Sequence, residues 1–456
     1  MSSGRRGRSS IFAGLLLVVL GIIFLIGIFY PGVRLGHWIA LYWPVLLIVW
    51  GVAKILDYVA AQHFGEPRPA LVSGGEAALI ALLVIVLGGF VVRGWVRNRY
   101  PNINFNMPEF GPSFTRSELL PSQTLPKNAR LAIDLRRGDI AVHGKAGEAL
   151  VVRAQKKIWG LSQTSADRAM QQAQVQVENF GELYRIRPVF GRSGRGRASI
   201  DLDLEAPSSA SVSASTNHGD IRISNINGST QAHTNDGDVD VSGAGADVAV
   251  NLNHGDARIA GANGNVRVTG RGGDVNISDV NGSASVEGSF DGSIRARNVT
   301  QEVHCAQPWS AITVGHLHGT LESDLGDVGL SGASGPVKIV THNADIDVKN
   351  ATGRLNISDA HGDIKVALSA PPQQDISITD DAGDVDVTLP PESAFQVEAV
   401  SRTGDVQSDF AGDQLNVSNM GDSGQITGRT GASGGPKITI ATTYGTIHLR
   451  KTSSGR

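Results

Sequence analysis

Gly219-Asp220-Ile221-Arg222-Ile223, Gly237-Asp238-Val239-Asp240-Val241, Gly255-Asp256-Ala257-Arg258-Ile259 and Gly273-Asp274-Val275-Asn276-Ile277 are one unit written four times at steps of 18 residues. Half-copies at Gly228, Ala246, Gly264 and Gly282 halve the step to nine. The third and fifth residues of each unit are apolar and the fourth is polar. That is period-two alternation, so each unit is a short strand with one buried face. Asn227-Gly228, Asp236-Gly237, His254-Gly255 and Asn281-Gly282 supply turns between strands. A strand of four or five residues cannot bury its face alone, whereas stacked coils of two strands bury a continuous apolar column. The pattern therefore predicts an all-β solenoid with two short strands per coil of roughly 18–21 residues. About twelve coils at about 4.8 Å would stack to the order of 60 Å. Propeller blades repeat at about 40–45 residues, so a nine-residue beat excludes them; the strands are also too short for a sandwich.

Working outward, further copies start at Gly138, Gly326, Gly362, Gly383 and Gly404, and beyond Gly362 the step lengthens to 383, 404, 424 and 445. Before Gly219 the pattern is looser. Arg130–Val142, Ala149–Lys156, Leu183–Arg187 and Ile200–Leu204 read as strands, and Ser165–Val177, with Ala166, Ala169, Met170 and Ala173, reads as a helix. Residues 100–127, proline-rich and without periodicity, read as a linker. The solenoid then spans 128–450, with 451–456 a disordered tail.

The first 99 residues differ in kind. Ile11–Tyr30, Trp38–Leu56 and Ala77–Val92 are apolar on every face and read as three transmembrane helices. A signal peptide is the competing reading of the first run after Arg5-Arg6-Gly7-Arg8. Its apolar stretch is too long for one, and Phe29-Tyr30-Pro31 offers no small-residue cleavage site. With the N-terminus inside, cytoplasmic flanks carry Arg5, Arg6, Arg8, Lys54 and Arg68, against Arg34, Arg93, Arg97 and Arg99 outside. The positive-inside balance leans toward an extracytoplasmic solenoid on a multi-pass bacterial membrane protein.

Gly14-Leu15-Leu16-Leu17-Val18-Val19-Leu20-Gly21 followed by Trp43-Pro44-Val45-Leu46-Leu47-Ile48 resembles the membrane module of LiaI/LiaF-type envelope proteins. Leu202-Asp203-Leu204-Glu205-Ala206-Pro207, Thr216-Asn217-His218-Gly219-Asp220-Ile221 and the closing Gly445-Thr446-Ile447-His448-Leu449 resemble the "putative-adhesin" family, a bacterial domain of unknown function built of β-strand repeats. That resemblance covers roughly 128–450. It implies the repeat fold and transfers no catalytic residue.

Composition narrows the function classes. The chain has 56 glycines in 456 residues, without a Gly-X-Y period, and a net charge of −3, which excludes a strongly basic nucleic-acid binder. One cysteine, Cys305, excludes an internal disulfide framework. It keeps register with the apolar Val303, which reads as a buried strand thiol, while His304 points to the other face. The aspartates Asp220, Asp238, Asp256 and Asp274 are candidate Ca²⁺ ligands, since stacked carboxylates present hard oxygen donors. The competing reading is that each accepts backbone N–H groups at its turn. Gly272-Gly273-Asp274 lacks the spacing of the calcium-binding nonapeptide. His218, His254 and His361 each precede a Gly-Asp pair; His218 and His254 stand two coils apart, too far for one metal ion with bonds of about 2.0–2.1 Å, so they read as turn residues. Trp309 reads as a turn plug and the basic run Arg192–Arg197 as a solvated loop.

No cofactor or enzymatic activity is expected, because no convergent catalytic set emerges. The leading expectation is a non-catalytic envelope protein that uses the solenoid for adhesion or protein contact, with membrane lipid and another envelope protein or surface polymer as partners. A LiaF-like envelope-stress regulator is the alternative. A polysaccharide-acting β-helix enzyme ranks lower, because most of the Trp and Tyr residues that could form sugar platforms sit near the membrane segments.

Overall fold

The computed structural model describes residues 113–159, 163–190, 198–410, 415–431 and 435–452. The three apolar runs, the Arg192–Arg197 loop and residues 453–456 lie outside them. No helix among the described residues is long and apolar enough to cross a membrane. The chain divides into two units. One comprises Met1–Phe114 and Trp159–Arg168, and the other comprises Thr115–Ile158 and Ala169–Arg456. The β architecture below is that of the second unit.

Each coil contributes one strand to each of two parallel ladders. In the first ladder Ile221–Ser224 pairs with Val239–Ala244, then Ala257–Ala262, then Val275–Val280, so Ile221, Val239, Ala257 and Val275 lie in one row. In the second ladder Ser211–His218, Thr230–Asp236, Val248–Leu252, Val266–Gly272 and Ala284–Phe290 align as strictly. The predicted inward residues are buried: Ile221, Ile223, Val239, Val241, Ile259 and Ile277 on one side, Val248, Val250, Val266 and Val268 on the other. Full burial of one such side chain is worth about 1.5–3 kcal/mol, and the sum along the column holds the stack. The glycine at each turn is needed because coils meet there backbone to backbone. At Gly237, φ is +147°, and a Cβ would stand 2.1 Å from the Gly219 carbonyl oxygen.

Stack order departs from sequence order in three places. In the middle, Ile294–Gln307 turns back on itself through Pro308-Trp309, and Ser310–Ser323 runs antiparallel to it across both ladders. Asp324 closes the next turn by accepting the N–H groups of Gly326 and Asp327 at 2.9 and 2.8 Å. Asp327–Ala333 then pairs antiparallel with Ser310–Ser323, which restores the original direction. At the C-terminal end, Lys437–Tyr444 and Ile447–Lys451 insert between the coil Ile376–Leu389 and the coil Phe395–Ser408. The step 383, 404, 424, 445 is therefore not a stacking order. Gly445 sits between Gly383 and Gly404, and Gly424 belongs to an antiparallel strand, Ser423–Thr430. At the other end Arg130–Leu135 and Ile140–Lys145 lie between Ser211–Ser224 and the strands Leu183–Phe190 and Ala198–Pro207.

Both ends are closed by antiparallel strands. Ala149–Trp159 pairs with Ala198–Pro207, and Ala173–Phe180 with Leu183–Phe190. Leu415–Met420 pairs with Ser423–Thr430 at the opposite end. Such caps replace an open parallel edge that would template further pairing. Two local expectations shift. The helix is Gln163–Gln172 and stops before Ala173, because Val175 and Val177 alternate with polar residues and favour a strand. Within the stretch read as linker, Ser113–Leu119 and Gln123–Thr124 are strands paired with Ala149–Trp159.

Candidate functional site

The stack turns one sequence position into one surface row, so candidate chemistry comes as ladders rather than as a pocket. At the Gly-Asp turns, each aspartate accepts the backbone N–H of its counterpart one coil away. Oδ1 of Asp139 takes the N–H of Asp220 at 2.9 Å, Asp220 that of Asp238 at 3.0 Å, Asp238 that of Asp256 at 2.9 Å and Asp256 that of Asp274 at 2.9 Å. Asp274 ends the run on Ser293 at 2.8 Å. A second run joins Asp345, Asp363 and Asp384 to Thr446. The four calcium candidates thus spend one oxygen each on coil-to-coil bonding. Among the described residues no group of three or more His, Cys, Asp or Glu is arranged to hold a metal ion.

His218 and His254, two coils apart, are bridged by one carboxylate. Asp236 stands in the coil between them, and its carboxylate meets His218 Nδ1 at 2.7 Å and His254 Nδ1 at 3.2 Å. All three are about half exposed or more, so the triplet is a surface polar cluster. His361 instead bonds the His342 carbonyl at 3.4 Å. Cys305 is buried, and burial pushes its thiol up to about 12, which leaves no thiolate for chemistry. Its neighbour His304 is partly exposed and bonds the Thr313 hydroxyl. Trp309 is half-buried in the hairpin turn, and its carbonyl accepts from His342 at 3.2 Å.

The outward row of the first ladder is the most extended polar feature. Register aligns Arg222, Asp240, Arg258, Asn276, Arg295 and Glu322, one per coil. Arg222 also reaches Asp220 at 3.0 Å, and Arg295 pairs with Glu322. A shallow groove runs between this row and the aspartate row, lined by Asp220, Arg222, Asp238, Asp240, Asp256 and Arg258. At about 4.8 Å per coil, Arg222, Asp240 and Arg258 alternate in charge along it before the neutral Asn276. Arg222, Asp240, Arg258 and Asn276 were legible as position four of the repeat, whereas Arg295 was not, because its coil opens Gly292-Ser293 rather than Gly-Asp. Glu322 was not, because it enters the row only through the reversed strand. The second ladder carries a further side-chain chain that the repeat unit did not reveal: His233 Nδ1 contacts Asn251 Oδ1 at 2.8 Å, and Asn251 donates to Thr269 at 2.9 Å. Asn251 and Thr269, each directly after the second apolar residue of its half-copy, were the available signal.

Two overlapping stretches, residues 119–305 and 265–450, match the model of the family described as Toastrack DUF4097. Three solved structures are similar in part. One is described as a "putative cell adhesion protein" from Clostridium sporogenes (7% identity, 75% of this chain and 100% of that one, TM-score 0.15). The others are described as "putative adhesins", from Bacteroides fragilis (11% identity, 75% and 100%, TM-score 0.18) and Parabacteroides distasonis (8% identity, 74% and 98%, TM-score 0.19). No curated protein matches the chain.

Proposed function

The chain belongs to the Toastrack DUF4097 family, and from that premise we propose that it is a membrane-anchored, non-catalytic cell-envelope protein whose β stack is a contact surface for adhesion or for another protein. The observation that carries this reading is the outward row Arg222, Asp240, Arg258, Asn276, Arg295 and Glu322, held in strict register. A ladder of polar and charged side chains, one per coil, offers many weak contacts at one spacing. That suits a repetitive or extended partner, a surface polymer or a protein strand, better than a small molecule. The buried Cys305 thiol and the aspartates occupied by backbone N–H groups supply no activated nucleophile, which supports a non-catalytic role. The apolar runs Ile11–Tyr30, Trp38–Leu56 and Ala77–Val92 supply the anchor in this reading, with the stack extracytoplasmic.

Protease treatment of intact cells tests it. Digestion of the stack without permeabilisation is expected, together with a severalfold drop in attachment when Arg258 and Arg295 are both changed to Glu. Digestion only after permeabilisation would exclude adhesion and leave the LiaF-like regulatory role, which the resemblance of residues 14–21 and 43–48 supports.

A further inference from the structure

The last inward position before each turn of the second ladder is a hydroxyl or an apolar residue in most coils. Thr216 and Thr234 occupy it and bond the carbonyls of Gly138 and Gly219. In the C-terminal half the row reads Thr341, Asp359, Asp380, Thr442 and Ser401 in stack order. All five are buried, Asp359 at 5% and Asp380 at 1% exposure. The flanking hydroxyls donate inward: Thr341 Oγ1 to Asp359 Oδ1 at 2.7 Å, and Thr442 Oγ1 to Asp380 Oδ2 at 3.2 Å. That leaves Asp359 Oδ2 and Asp380 Oδ1, in register on adjacent coils, buried and without hydrogen-bond partners.

Two ionised carboxylates one coil apart in a buried column repel each other, and each leaves an oxygen unsatisfied. The surrounding charges do not relieve them. Lys437, on the inserted coil, is paired with Glu398 at 2.8 Å. Asp363 and Asp384 add negative charge and are bonded to backbone N–H groups. His361 bonds the His342 carbonyl, while Asp381, Arg402 and Tyr444 are exposed. A single proton relieves the repulsion: with one aspartate a neutral carboxylic acid, the pair keeps one charge instead of two.

We propose that Asp359 and Asp380 form a buried pair inside the stack that takes up one proton in mildly acidic conditions and so tightens the C-terminal coils. Burial above all, and then the Asp359 charge, push the Asp380 carboxyl up to about 6, against the pull of the Thr442 hydroxyl and the N–H groups of Ala382 and Asp381. The folded state therefore keeps its proton at a pH where the unfolded chain, at about 3.9, has lost it. The pair's contribution to stability is full below about pH 4, declines as pH rises, and is lost above about 6. The inference does not depend on which side of the membrane the stack faces.

Two measurements on the full-length chain test it. Infrared difference spectra between pH 5 and pH 8 should show a protonated buried carboxyl at pH 5 that is missing in Asp380→Asn and loses its proton at lower pH in Asp359→Asn. After correction for intrinsic rates, hydrogen exchange in Ile376–Ala382 should be slower at pH 5 than at pH 8, by on the order of tenfold or more. In Asp380→Asn it should be independent of pH. No carboxyl band in the wild-type chain overturns the proposal whether or not the variants fold. So does protection that responds to added Ca²⁺ or Na⁺ at pH 8 and not to pH, because the pair would then hold a cation.

Discussion

At the scale of single residues, the turn glycines are the least replaceable part of the repeat. Gly219, Gly237 and Gly255 share left-handed φ values of +147°, +147° and +125°, and each lies against the backbone of the coil below. Gly237→Ala adds a methyl 2.1 Å from the Gly219 carbonyl oxygen. Strained backbone and overpacking together should cost about 3 kcal/mol or more, lowering the urea midpoint without changing the fold's far-ultraviolet signature. Gly147→Ala, with φ +121° but nothing within 4 Å, isolates the backbone contribution and should lose clearly less. The sequence made these glycines visible because they recur. It did not show why they are needed, since the clash is with a residue on the neighbouring coil, Gly219 for Gly237 and the distant Gly138 for Gly219.

At the scale of elements, the two parallel ladders were legible and their interruptions were not. Alternation in Val239-Asp240-Val241 fixes a strand and its inward face, and the 18-residue step fixes its neighbour. Nothing local marks Ser310–Ser323 as running backwards, because an antiparallel strand shows the same alternation. The inserted coil is likewise invisible. Lys437–Tyr444 carries the same apolar alternation as Phe395–Thr403, and the choice of neighbour is made by tertiary pairing. The buried pair Asp359 and Asp380 was missed for a similar reason, because the Gly-Asp repeat marks only Asp363 and Asp384, each four residues further on. Asn419 shows how an edge is finished. Its side-chain Oδ1 accepts the Val406 N–H at 3.0 Å and its Nδ2 donates to the Val406 carbonyl at 3.2 Å, standing in for a strand. Truncation after Thr430 is expected to do more than trim an end. It removes the partner of both Ile376–Ala382 and Phe395–Thr403, so limited proteolysis should reach back to about Ile376 and leave the strands before Ser323 protected.

At the scale of the whole β unit, stability is a sum of coils and of interfaces between neighbours. A cavity in one coil should be felt by adjacent coils and fade with distance. Ile259 is buried at 1% exposure between Val241 and Ile277. Ile259→Ala should cost about 2–5 kcal/mol locally. Hydrogen exchange should accelerate in Val239–Ala244 and Val275–Val280 and be unchanged in Ile364–Ala367; uniform acceleration would instead mean one cooperative block. The antiparallel caps matter at this scale because they keep the parallel column from recruiting further chains.

The inserted C-terminal coil also has a consequence in time. A ribosome releases Phe395–Ser408 before Lys437–Lys451, yet the later segment lies deeper in the stack. The earlier coil must therefore wait, or dock provisionally and yield, until its true neighbour has emerged. Synthesis order and assembly order part company over these last turns, so the growing chain cannot finish this end one coil at a time as it appears.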